Sequence, residues 1–83
     1  MKIYIQHKEV ETKEIVQITE AGRRKHGFII HLIGERQINI TEDEEYNMYD
    51  REKANINDRY RALRKKVEDE WNKDKTDFVI LNL

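Results

Sequence analysis

The chain has 83 residues, 16 of them basic and 17 acidic, with no cysteine and no proline. This length suits one domain, the lack of cysteine excludes disulfides and thiolate zinc sites, and a net charge of −1 lacks the strongly basic footprint usual for nucleic-acid domains. A charged fraction of 40% points toward disorder, but the charges nearly cancel and the apolar residues are patterned, so the expectation is a folded, soluble chain.

Positions 2–7 alternate, with Ile3 and Ile5 on one side and Tyr4 and Gln6 on the other, as in a half-buried strand. Residues 8–13 are polar around Val10 and fit a turn or the start of a further strand. A second strand is expected at 14–19 from the β-branched cluster Ile15, Val16 and Ile18. Ala21-Gly22 breaks it, Arg23-Arg24-Lys25-His26 makes a basic loop, and Gly27 closes that loop. Positions 27–33 form the most apolar stretch. Phe28, Ile30 and Leu32 point one way and Ile29, His31 and Ile33 the other, the pattern of a central strand. Gly34-Glu35-Arg36 connects it to a returning strand at 37–40.

A long helix is predicted over 42–73. Tyr46, Tyr49, Ile56, Tyr60, Leu63, Val67 and Trp71 recur at helical spacing, with Lys53 interrupting the stripe. Thr41-Glu42-Asp43-Glu44 matches a capping box, and Glu42 to Glu45 suits the positive end of a helix dipole. A last strand is expected at 78–82. The predicted class is α+β in one domain spanning 1–83. A small, mostly antiparallel sheet of about four or five strands carries one long helix on one face, in the order β-β-β-β-α-β.

As one rod, 42–73 would be ~48 Å long, too long for strands spanning ~20 Å. It either breaks near 53–57, where Asn55 and Asn57 are weak helix formers, or projects and buries its stripe on a second copy. Charge bears on that choice. Residues 41–50 hold acids and no base, and residues 59–66 hold bases and no acid. An antiparallel helix pair would match the two blocks. The plainer reading is two solvated faces with pairs such as Arg64–Glu68 and Lys66–Glu70.

For function, no catalytic, metal or cofactor constellation emerges. His7, His26 and His31 lack ligand spacing, and the glycines at 22, 27 and 34 are too scattered to cradle phosphate. The expectation is therefore a non-enzymatic protein–protein interaction module, a homodimer binding another protein. Its contact residues would be Ile29, His31, Ile33, Tyr46, Tyr49, Ile56 and Tyr60. The alternative is a nucleic-acid-binding protein gripping phosphates through Arg23, Arg24 and Lys25. No signal peptide is visible in Met1 to Val10, no apolar run approaches ~18 residues, and a small secreted domain would usually carry disulfides. A cytoplasmic location follows. Size, composition and dipolar charge resemble small phage-type accessory or inhibitor proteins as a class.

Overall fold

Lys2–Ile5 (β1) turns back at once into Lys8–Glu11 (β2). The two-residue loop holds Gln6 at φ 49° and His7 at φ 68°. Two successive left-handed residues suit a type I′ hairpin, whose twist matches that of its strands. Neither residue is glycine or asparagine, so the turn leaves no usual trace in the sequence. Residues 8–11 are thus a strand, with Val10 paired to Ile3 and buried.

The computed structural model describes residues 1–45, 47–73 and 79–83. After β2 a 3-10 turn, Thr12–Glu14, leads into β3 (Ile15–Glu20), β4 (Lys25–Leu32), a second 3-10 turn at Ile33–Glu35, β5 (Gln37–Asp43), helix α1 (Asp50–Trp71) and β6 (Val79–Leu81). The α+β class stands, as does the order of strands, long helix and final strand. The single sheet of four or five strands does not. Among the described residues there are two sheets of three, β2-β1-β6 and β3-β4-β5. The division falls at the first 3-10 turn. Both the amide and the hydroxyl of Thr12 donate to the Met1 carbonyl, each at 2.9 Å. That anchor turns the chain out of the first sheet before β3 begins. The described pairings are antiparallel except β6, which runs parallel to β1.

The hairpin expected over 27–40 is present as β4–β5 and extends further at both ends. Lys25, His26 and Gly27 pair with Asp43, Glu42 and Thr41. This extension overturns the predicted helix start. Thr41, Glu42 and Asp43 finish a strand rather than cap a helix, because seven cross-strand pairs outweigh a local capping preference. Helix α1 begins eight residues later than expected, at Asp50. Its N-cap is Tyr49, which makes no side-chain cap bond. It then runs unbroken through 53–57 for 22 residues, ~33 Å at 1.5 Å per residue. The longest dimension of the molecule is 43 Å. The length mismatch is gone, and neither a break nor a projecting rod is needed.

Three sets of side chains meet in one core. Ile3, Ile5, Val10 and Leu81 come from the first sheet; Ile18, Phe28, Ile30 and Ile40 from the second; Tyr60, Leu63 and Val67 from α1. The helix crosses β4 and also touches β6 and the first 3-10 turn, so it joins both sheets. Phe28, Ile30 and Leu32 face inward as the alternation requires. Among the described residues no helix is long and apolar enough to cross a membrane.

Candidate functional site

The helix covers only the inner face of β3-β4-β5. The outer face is built by alternation and by register. From β4 it receives Ile29 and His31. Opposite them stand Thr19 and Gln17 from β3, and Asn39 and Gln37 from β5. Sequence alternation singles out Ile29, His31 and Ile33 as an apolar strip. The structure sets Ile29 among threonine, asparagine, glutamine and histidine, because both flanking strands turn polar residues the same way. His31 and Thr19 share a hydrogen bond, with Nε2 2.7 Å from Oγ1.

Apolar exposure concentrates at one corner of this sheet. The pairing of β3 with β4 shifts between Ile15 and Gln17, so Val16 is the extra residue of a bulge. Val16 is 58% exposed. Ile33 follows the Ile15–Leu32 pair on the other strand, enters the second 3-10 turn and is 55% exposed. Nothing in the sequence marks the bulge, and by pattern Val16 is an ordinary strand residue. The same corner is tied by Arg36, which donates to the Glu14 carboxylate and to the Ile33 carbonyl.

The remaining expected contact residues that the structure describes do not join this surface. Ile56 is half-buried against the core. Tyr60 is only 7% exposed and belongs to the core itself, which corrects its assignment to an interface. It lies on the helix stripe facing the sheet, where burial and the neighbouring Glu42 carboxylate push its phenol above the ordinary tyrosine range. Tyr49 is 76% exposed, in the segment leading into α1. Tyr46 lies outside the described residues.

The basic loop is shorter than expected. Arg23 and Arg24 turn the chain, with Arg24 at φ 58°, while Lys25 and His26 already belong to β4. All three candidate phosphate-binding residues, Arg23, Arg24 and Lys25, are exposed. Their neighbourhood is acidic, because β5 runs alongside. Lys25 Nζ lies 3.8 Å from the Asp43 carboxylate, and the Glu44 amide donates to the Arg24 carbonyl at 2.8 Å. Lys53 Nζ meets the Glu44 carboxylate at 2.7 Å. The acidic run, expected to serve a helix start, instead answers bases within its own chain. The two charge blocks do not lie along one helix, so the matched antiparallel helix pair has no geometric basis. Of the two helix ion pairs expected, Arg64–Glu68 is present at 2.8 Å, and Glu70 pairs with Lys73 instead.

The Lys53 hydrogen bond holds the Glu44 carboxyl below the usual glutamate value, and Glu44 in turn holds the Lys53 ammonium above its own. The pair thus adds stability between those two titrations. Glu44 loses it as pH falls through a value below 4.5, and Lys53 loses it as pH rises through a value above 10.5. In Glu44→Gln, the urea midpoint is expected to drop at pH 7, and the difference from the parent protein to shrink as pH falls toward 3. An equal drop at both pH values would assign the effect to packing rather than charge.

His26, by sequence part of a solvated loop, is buried, and its Nδ1 lies 2.7 Å from Asn57 Oδ1 on α1. A signal for this exists. His26 stands two residues before Phe28, so strand alternation puts both on the inner face. Among the described residues no three histidine, aspartate or glutamate side chains gather as metal ligands would. Comparison with protein-family models, with curated proteins and with solved structures finds no match for this chain.

Proposed function

We propose that this chain is a non-enzymatic protein–protein interaction module of the small accessory or inhibitor kind, working in the cytoplasm as a homodimer that binds another protein. The observation that carries this reading is the apolar corner of the second sheet. Val16 and Ile33 stand exposed beside a face that α1 does not cover. Two β-branched side chains gain ~1.5–3 kcal/mol each when fully buried. The mixed surroundings of Ile29, His31, Thr19 and Gln17 resemble the polar rim of a non-obligate interface. A two-fold contact would place the same corner on both protomers, each Ile33 against its copy. The nucleic-acid reading is weaker, since acids neighbour Arg24 and Lys25. Retention on a low-salt gel shift, lost at higher salt, would revive it.

Light scattering across about 1–100 μM tests the dimer. The expected mass is twice 10.1 kDa, falling to the monomer value in a Val16→Glu/Ile33→Glu variant. Both substitutions sit at exposed positions, so the fold should survive them. A parent protein that stays at 10.1 kDa throughout would remove the homodimer.

A further inference from the structure

Among the described residues the second sheet has two edges, β3 and β5. They are the long ones, six and seven residues, against four in β2 and three in β6. A long edge displays a row of backbone N–H and C=O groups that a strand from another chain can pair with.

Register shows which groups those are. In an antiparallel pair, residues alternate between turning both backbone groups toward the partner strand and turning both away. On the β3 side the Ala21 amide donates to the Gly27 carbonyl at 3.2 Å. Two and four residues further back, Thr19–Ile29 and Gln17–His31 share that phase, and Ile18–Ile30 falls between them. The Ile18 amide and carbonyl therefore face away from β4, along the outer edge. On the β5 side the Leu32 amide donates to the Arg36 carbonyl and the Glu44 amide to the Arg24 carbonyl, both at 2.8 Å. Those two bonds set one phase, and Ile29–Asn39 falls out of it. The Asn39 amide and carbonyl face outward too.

Each of these outward carbonyls is taken by a basic side chain from another element. Arg64 of α1 donates from Nη2 to the Ile18 carbonyl at 3.0 Å, and its Nε donates to the Glu68 carboxylate at 2.8 Å, which holds it there. Lys8 of β2, in the other sheet, donates from Nζ to the Asn39 carbonyl at 2.6 Å. The bulge at Val16 lies on the same strand as Ile18 and disrupts the start of that edge. A strand adding to either edge would need the outward carbonyl as an acceptor, and would have to displace a charged donor to reach it. In a solution of this protein the strand on offer is that of another copy. We propose that Arg64 and Lys8 are edge guards, which stop a second copy from extending the β3-β4-β5 sheet. The guards act whether or not the Val16–Ile33 corner joins two copies.

Lys8→Met and Arg64→Met keep an unbranched stem and remove the donor. Lys66→Met, at an exposed helix position, removes the same charge as the control. Lys8 is itself exposed, so its variant should fold even where Arg64→Met does not. Light scattering on the whole chain at equal concentration should give each guard variant about twice the parent mass or more, because a freed edge can pair with a further copy. Lys66→Met should keep the parent mass. Hydrogen exchange locates the new contact. Exchange at the Asn39 amide should slow in Lys8→Met, and at the Ile18 amide in Arg64→Met, each without change at the other edge. Mere loss of a stabilising bond would speed exchange there instead. A parent mass in Lys8→Met, equal growth in Lys66→Met, or faster exchange at Asn39 would overturn the guards.

Discussion

Gly27→Ala is expected to lose about 3–5 kcal/mol of folding stability, through backbone strain and forced displacement together. Gly27 sits inside β4 at φ +112°. A Cβ there would lie 2.0 Å from the Ile40 carbonyl oxygen and 3.0 Å from the Thr41 Cα on β5. No side chain can move aside, since the obstruction is the neighbouring strand's own backbone. Either the β4–β5 register must open or φ must change, and both disturb the pairs on either side. A chain of this length has a stability of about 4–12 kcal/mol, so a large part of it is at stake. Gly22→Ala is the control: a Cβ at that position would meet nothing within 4 Å, and its urea midpoint should match the parent protein. A Gly27→Ala midpoint equal to that of Gly22→Ala would refute the close approach.

Phe28→Ala should cost a comparable ~3–5 kcal/mol, combining lost transfer energy with the cavity left behind. Phe28 is 1% exposed, on the central strand, with Ile40 beside it and α1 above. Helix α1 has no side-chain N-cap and few apolar residues of its own. Most helical stability in a protein comes from tertiary packing of the apolar face, so α1 depends on this core. Circular dichroism at the helical minimum and near-ultraviolet signals from Trp71 should therefore be lost together, at a lower urea concentration than in the parent protein. Helical signal that persists after the Trp71 signal has collapsed would show that α1 stands without the sheet.

The outer face and the two edges belong to one sheet, β3-β4-β5, which holds each in shape. Gly27 sits where β5 passes close to β4, while its neighbours Phe28 and Ile30 anchor the strand that presents Ile29 and His31 outward. A stability defect at Gly27 would weaken face and edges alike. For that reason the oligomerisation test uses the exposed positions Val16 and Ile33.

Period-two alternation is enough to find β1 and β4, because Ile3, Ile5, Phe28, Ile30 and Leu32 point inward and are strongly apolar while the residues between them are not buried. Period 3.6 locates the core-facing positions of α1, Tyr60, Leu63 and Val67. The same pattern misplaces the start of the helix, because Thr41-Glu42-Asp43-Glu44 carries a good local signal that a distant partner overrides. The hairpin at Gln6-His7 is hidden because its left-handed residues are not those that prefer that conformation. The bulge at Val16 and the two guarded sheet edges are also illegible, since each depends on which strand lies next to which.

Residue pattern alone determined the α+β class, the inward faces of the central strand and helix, and the absence of disulfides, because these follow from side-chain chemistry and periodicities within one segment. Tertiary structure decided the division into two sheets, the helix start at Asp50, the acids beside Arg24 and Lys25, and the placing of Asn57, Arg61 and Arg64 opposite the turn end of the β3–β4 hairpin. Those outcomes rest on hydrogen-bonded register and packing between segments far apart in the chain, which no local pattern encodes.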